Sequence, residues 1–83
     1  MAHETVSVIG GGAWGTALAQ AAAMAGRAVS LLVRDAAQAS EINESHTNRL
    51  YLGDQILHAR IRASLVAEPA DIVILAVPAQ SSR

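Results

Sequence analysis

Three glycines near the start of the chain have the spacing of a phosphate-binding turn. Gly10, Gly12 and Gly15 form a Gly-x-Gly-x-x-Gly pattern directly after a short β-branched run. In such turns the first glycine permits the tight bend, the second lets backbone approach a pyrophosphate, and the third lets helix and strand pack closely. The helix that follows offers unpaired N–H groups and partial positive charge to the phosphates. The pattern therefore predicts a dinucleotide site that includes Gly10, Gly12, Ala13, Trp14 and Gly15.

Two alternatives remain open at this turn. The first is a glycine-rich connection that binds nothing, although the surrounding strand–helix–strand order favours ligand binding. The second concerns Trp14, whose ring either packs in the core under the neighbouring strands or borders the cofactor cleft. The sequence does not choose between these two positions for the ring.

The end of the second predicted strand bears on which dinucleotide is bound. Sites that prefer NAD place an acidic residue about 20 positions beyond the glycines, and sites that prefer NADP place an arginine nearby. This chain has both, as Arg34 and Asp35. We expect Arg34 to reach the adenosine ribose, where it could pair with a 2′-phosphate or stack on adenine. Asp35 is the better candidate for a helix N-cap, with Gln38 at capping-box spacing. NADP is favoured, and NAD stays possible.

The elements that must position these residues alternate between strand and helix. Apolar and β-branched runs predict strands at residues 5–9, 28–33, 60–64 and 71–77. Alanine-rich segments predict helices at 13–25 and 36–45, and residues 46–57 are expected to be a loop. This order predicts an α/β fold, a Rossmann-type doubly wound parallel sheet truncated after about four strands. Since the last strand would lack an outer neighbour, residues 1–83 are expected to be the N-terminal portion of a larger nucleotide-binding domain.

Composition excludes several other functions. The chain has 83 residues, which allows one domain, and a net charge of −1, which gives no electrostatic case for nucleic acid. No apolar run is long enough to span a bilayer, and residues 1–4 have no basic character, so a signal peptide is not expected. The histidines at 3, 46 and 58 are scattered and no cysteine occurs, so no metal site is expected. Asn43, Glu44 and Asn48 are interpreted as turn residues, and His46 as ordering its own loop.

Four segments resemble the NAD(P)-dependent glycerol-3-phosphate dehydrogenases. The most specific is VIGGGAWGTALA at residues 8–19, and LVRD at 32–35 is similar to the family's second-strand end. INESHTNRLYL at 42–52 and LAVPAQSSR at 75–83 are also similar to family segments. Departures are Gly11 and Ala79, where the family usually has alanine and serine, and Gly53-Asp54, where it often has Pro-Gly.

The resemblance implies a cytoplasmic oxidoreductase that uses NAD or NADP to interconvert dihydroxyacetone phosphate and sn-glycerol 3-phosphate for phospholipid synthesis. It further implies that Trp14 and Arg34 contact the cofactor, that Tyr51 lies near it, and that the whole protein could be a homodimer. The chain has no lysine, so the family's catalytic lysines are not among its residues. The family's helical substrate domain is also expected to lie outside residues 1–83. We therefore expect no catalytic residue here and no activity from the chain alone. Another Rossmann-type reductase and a non-catalytic nucleotide-sensing module are the alternatives.

Overall fold

Four short strands and three helices follow one another in a computed structural model that describes residues 4–10 and 12–76. The helix from Ala13 is alanine-rich, and the strands are β-branched or leucine-rich, in keeping with the intrinsic preferences of these residues. The elements are β1 (Thr5–Ile9), α1 (Ala13–Met24), β2 (Ala28–Leu32), α2 (Ala36–Ser45), α3 (Arg49–Leu52), β3 (Ile61–Ser64) and β4 (Ile72–Leu75).

The strands form one parallel sheet in the order β3-β2-β1-β4. This is the strand order of the first half of a doubly wound sheet, and it confirms the predicted α/β class. β1 lies in the middle, with Val8 opposite Leu31 of β2 and Ile74 of β4. Since the carboxyl ends of parallel strands meet at one edge, the segments that follow β1 and β2 come together there.

The core lies between one face of the sheet and the helices. Val8, Leu31 and Ile61 are almost fully buried on that face. α1 meets it with Ala19 and Ala23, both fully buried, and these small side chains let the helix axis approach the strands closely. α2 contributes Ile42, which is also fully buried. The core is therefore formed by apolar residues of the strands and by one face of each of these two helices.

The other face of the sheet is not covered by a helix in the described part of the chain. Ser7, Ser30 and Arg62 lie side by side on it, in register across β1, β2 and β3. At the β4 edge Val73 is 57% exposed and Leu75 is 71% exposed. Apolar side chains of this size at a sheet edge are normally covered in a complete domain.

Several observed elements differ from the predicted ones at their ends, and one segment differs in kind. β2 ends at Leu32 rather than at residue 33, and β3 begins at Ile61 rather than at residue 60. α1 ends at Met24, and β4 covers Ile72–Leu75, whereas the prediction extended it to residue 77, which lies outside the described residues. The larger error is the segment 46–57, expected to be a loop, which contains the single-turn helix α3. A helix of four residues has too little periodicity to be recognised in a sequence. No helix among residues 4–10 and 12–76 is long and apolar enough to cross a membrane.

Candidate functional site

Gly10 occupies a position that only glycine can take. Its φ is +119°, and a Cβ there would lie 2.6 Å from the carbonyl oxygen of Ala76. The position is fixed from two sides, because Gly10 N donates to Leu32 O at 3.2 Å and Ala76 N donates to Ile9 O at 2.9 Å. The turn therefore begins where the ends of three adjacent strands meet, and the predicted role of the first glycine agrees with this geometry.

Gly15 is required for packing. A Cβ on Gly15 would overlap the carbonyl oxygen of Gly10 and would lie 3.2 Å from the Cβ of Ala76. The first turn of α1 therefore rests directly on the backbone at the end of β1. This is the close helix–strand contact that the third glycine of the motif was predicted to allow.

Gly12 differs from the other two glycines because the protein itself does not require glycine there. Its φ of −74° and ψ of −171° are open to any residue. A Cβ on Gly12 would meet only Cε1 of Tyr51, at an ordinary contact distance of 3.9 Å. Neither backbone strain nor packing among the described residues explains this glycine.

The N-terminus of α1 opens beside Gly12. No side chain of the described residues caps it, and its first turn has no acidic residue. The Gly12 carbonyl accepts from Thr16 N at 2.9 Å and from Thr16 Oγ1 at 2.8 Å. The N–H groups of the first turn, from Ala13 to Gly15, have no acceptor within the helix. They give this end of α1 a partial positive charge that attracts an anion.

The side chains predicted to border the site lie around this edge of the sheet. Trp14 is 65% exposed, which contradicts its interpretation as a core residue. Arg34 is exposed in the segment that follows β2, just beyond Leu32, whose carbonyl binds Gly10 N. Tyr51, on α3, is 45% exposed and lies against Gly12. The structure therefore brings Tyr51 to the glycine turn itself and Arg34 to the end of the neighbouring strand.

Asp35 acts as the N-cap of α2. Its Oδ1 accepts from Ala37 N at 2.9 Å, which confirms the capping interpretation. The amide of Gln38, which was expected to complete a capping box, donates to Asn48 Oδ1 at 3.3 Å. The carboxylate of Asp35 is thus committed to the start of α2.

A buried hydrogen-bond network connects α3 to the glycine turn. Asn48 is only 1% exposed, and its Nδ2 donates at 2.9 Å to Oγ1 of the fully buried Thr16. The same Thr16 hydroxyl donates to the Gly12 carbonyl. We call the chain of groups Gln38, Asn48, Thr16 and the Gly12 carbonyl the Asn48 network. The sequence-based interpretation of Asn48 as a simple turn residue was wrong, because its amide spans two elements.

Glu41 holds the segment around Asn48 from the α2 side. Its Oε2 accepts from Thr47 Oγ1 at 2.7 Å and from Arg49 N at 2.9 Å. The hydrogen bond from Thr47, followed by that from the Arg49 backbone, lowers the pKa of the Glu41 carboxyl below its ordinary value of 4.5. Because Arg49 is the first residue of α3, this carboxylate also satisfies an N–H at the start of that helix.

Comparison with known proteins identifies the scaffold. A sequence profile described as "NAD-dependent glycerol-3-phosphate dehydrogenase N-terminus" matches residues 5–83. The chain belongs to this family. The match covers all of the glycine turn and the whole sheet.

Curated relatives agree with this family membership. The chain is 49% identical over 88 residues to a glycerol-3-phosphate dehydrogenase [NAD(P)+] of Caulobacter vibrioides, and the alignment covers 100% of this chain and 26% of that protein. It is 43% identical over 86 residues to the protein of the same name from Parvibaculum lavamentivorans, again with 100% and 26% coverage. The chain thus spans about a quarter of the length of these relatives.

Solved structures of the family have the same fold. A glycerol-3-phosphate dehydrogenase of Plasmodium falciparum superposes with a TM-score of 0.82 at 26% identity, over 96% of this chain and 26% of that one. A second, from Coxiella burnetii, gives a TM-score of 0.68 at 27% identity, over 75% of this chain and 19% of that one. The fold of this chain is therefore similar to the fold of part of each of these two proteins.

The family segment at residues 42–52 contained a structural signal that sequence reasoning missed. Asn48, a residue type that is common at helix N-caps, comes directly before the four residues of α3. Gly53, with a φ of +61°, comes directly after them. Asn43 was also interpreted as a turn residue, but it exchanges two hydrogen bonds with the Ala63 backbone of β3, at 3.0 and 2.8 Å. Side-chain amides that replace backbone partners can be found only once the neighbouring strand is known.

Proposed function

We propose that this chain binds the ADP part of NAD or NADP at the turn formed by Gly10, Gly12, Ala13, Trp14 and Gly15. The observation that carries the proposal is the contrast between Gly12 and its two neighbouring glycines. Gly10 and Gly15 are required by the protein's own backbone, whereas Gly12 is not. A ligand that approaches the Gly12 backbone closely supplies the missing reason for a residue without a side chain.

The pyrophosphate would lie against the first turn of α1. The N–H groups there have no helical acceptor, and no acidic side chain competes for them in that turn. Gly12 leaves the approach open, and the Tyr51 ring forms a wall on one side of it. The chain's own contribution is therefore to bind and orient the coenzyme, which when bound supplies the hydride chemistry.

Arg34 would lie near the adenosine ribose. It stands in the position after β2 where an arginine can form paired hydrogen bonds with a 2′-phosphate. Asp35, the residue that would favour NAD by binding the 2′-hydroxyl, already accepts a hydrogen bond from Ala37 N. This assignment supports acceptance of NADP, with NAD also bound.

The complete protein would interconvert dihydroxyacetone phosphate and sn-glycerol 3-phosphate for glycerophospholipid synthesis, in the cytoplasm and as a homodimer. The names of the relatives, of which the chain spans about a quarter, support the dehydrogenase activity. The pathway, the location and the dimer are what the family resemblance implies. The chain contains no lysine, and the family resemblance implies catalytic lysines. We therefore place the catalytic groups and the phosphate site of the three-carbon substrate outside this sequence, and expect the chain alone to be inactive.

Calorimetric titration with NADPH and NADH tests the proposal. The test variant is Gly12→Ser, whose side chain fills the approach to the turn while adding a residue that is favourable at an N-cap. The control variant is Ala25→Ser, which makes a similar addition at the far end of α1. We expect the unsubstituted and Ala25→Ser proteins to bind both coenzymes and Gly12→Ser to lose binding while its melting temperature is maintained. Equal affinities in all three proteins would show that the glycine turn is only structural.

A further inference from the structure

Asn48 stands out among the polar residues because it is buried and reaches two separate elements. Its side chain is 1% exposed, and its amide donates to Thr16 Oγ1 in α1. Its backbone carbonyl accepts from Tyr51 N at 3.1 Å and from Leu52 N at 2.8 Å. One residue therefore holds both the helix that begins at the glycine turn and the helix that carries the Tyr51 ring.

The position of Asn48 is itself fixed on both sides in sequence. The neighbouring Thr47 hydroxyl and Arg49 N–H both donate to Glu41 Oε2, and Thr47 is only 4% exposed. A buried amide whose flanking residues are held in this way has little freedom to follow a movement of Thr16. The amide therefore links Thr16, and through it the Gly12 carbonyl, to a segment that is held from α2.

We propose that Asn48 is a positioning residue for the dinucleotide, acting through the Thr16 hydroxyl on the Gly12 peptide and through α3 on Tyr51. This inference rests on the proposed function of the glycine turn. Asn48 does not contact the coenzyme in this arrangement. It keeps the first turn of α1 and the Tyr51 ring in their binding geometry before the coenzyme arrives, so less ordering is needed on binding.

The test separates positioning from simple stabilisation by comparing two asparagines. Asn48→Ala removes the amide of the Asn48 network. Asn43→Ala is the matched control, because it removes a side-chain amide that also joins two elements, α2 and β3. β3 is separated from β1 by β2 and does not contribute to the glycine turn. Both substitutions are made in the complete protein that carries this sequence. The melting temperature and the Kd for NADPH are measured for both variants. The Kd is measured at a temperature well below the melting temperature of either variant.

We expect Asn48→Ala to raise the Kd for NADPH by roughly tenfold, the effect of losing about one well-placed hydrogen bond. Asn43→Ala is expected to lower the melting temperature and leave the Kd unchanged. The Thr16 hydroxyl provides a second comparison that does not depend on the folding of the Asn48 variant. Thr16→Val should raise the Kd as Asn48→Ala does, and Thr16→Ser, which keeps a hydroxyl, should restore it.

The outcomes are distinguishable. A lower melting temperature with an unchanged Kd in both Asn48→Ala and Thr16→Val would overturn the positioning role and leave the Asn48 network a structural one. A Thr16→Ser protein as weak as Thr16→Val would also overturn it, because the hydroxyl would then not be the group that matters. Absence of NADPH and NADH binding by the unsubstituted protein would refute the proposed function, and this inference with it.

Discussion

The Tyr51 ring lies against Gly12, with its Cε1 3.9 Å from where a Gly12 Cβ would be. The contact joins the short helix α3 to the turn that opens α1, two segments that no strand pairing connects. It places an aromatic face at the entrance to the proposed pyrophosphate site. Tyr51 was implied to lie near the cofactor by family resemblance, and the contact supplies a physical reason for that expectation.

Substitution of Tyr51 therefore tests whether the ring takes part in binding. We expect Tyr51→Ala to weaken NADPH binding by about tenfold, since a ligand would lose one side of its apolar contact. Tyr51→Phe keeps the ring and should bind like the unsubstituted protein. Fluorescence titration of both variants gives the answer. If Tyr51→Phe were as weak as Tyr51→Ala, the hydroxyl rather than the ring would be the binding group.

Gly15→Ala should destabilise the fold itself. Its Cβ would overlap the Gly10 carbonyl oxygen, so α1 must move away from the end of β1. Overpacking of this kind typically costs about 1–3 kcal/mol. Gly12→Ala is the control, because its Cβ would make only an ordinary contact. Urea unfolding should show a clearly lower free energy of unfolding for Gly15→Ala than for Gly12→Ala, and equal values would disprove the packing argument.

Arg34→Ala should change coenzyme preference. Loss of a charge-assisted pair with a 2′-phosphate costs about 1.5–3 kcal/mol, which corresponds to roughly 10- to 100-fold in the Kd for NADPH. The Kd for NADH should change much less. Arg27→Ala is a suitable control, since Arg27 precedes β2 at its opposite end and pairs with Glu4 at 3.2 Å. Equal losses for NADPH and NADH in Arg34→Ala would remove the 2′-phosphate role.

Glu41 predicts a pH dependence of stability. Its pKa in the folded protein is lowered, first by the Thr47 hydroxyl and then by the Arg49 N–H. The carboxylate therefore stabilises the fold fully above its unfolded-state pKa, and this contribution is lost as the pH falls through the lowered folded-state value. Urea unfolding of the unsubstituted protein and Glu41→Gln, from about pH 7 to pH 3, should show their free energies of unfolding converging at the acid end.

Thr47→Val provides the check on that mechanism. It removes the hydroxyl that contributes most to the lowered pKa of Glu41, so it should also remove most of the pH dependence. A constant difference between Glu41→Gln and the unsubstituted protein down to pH 3 would contradict the assignment.

The parts of the fold that sequence predicted well are those determined by local pattern. β1, β2 and the helix between them are predicted by runs of β-branched residues and alanine, and the three glycines specify the turn between β1 and α1. Asp35 was predicted to be an N-cap from its residue type and its position before α2, and its partner, Ala37 N, is only two residues away. Information of this kind is contained within a single segment.

The parts that sequence did not predict depend on partners that are distant along the chain. Asn48 meets Thr16 in α1, and Asn43 meets Ala63 in β3. Nothing in the local sequence of either asparagine indicates that its amide is used in this way. Trp14 is a related case, since its exposure depends on which elements cover the start of α1, and a residue-level pattern does not contain that information.

β1, an interior strand of the sheet, is the first of its four strands in the chain and is therefore synthesised before the other three. β1 pairs with β2 soon after it in the chain, but its other neighbour begins beside Asp71, which accepts a hydrogen bond from Thr5, 66 positions earlier. During synthesis, one edge of β1 must therefore wait until nearly all of this sequence has been translated. Closing that long loop carries an entropic cost that the local β1–α1–β2 unit does not bear. The sheet order therefore predicts that β4 docks last, onto a strand whose other edge is already paired with β2.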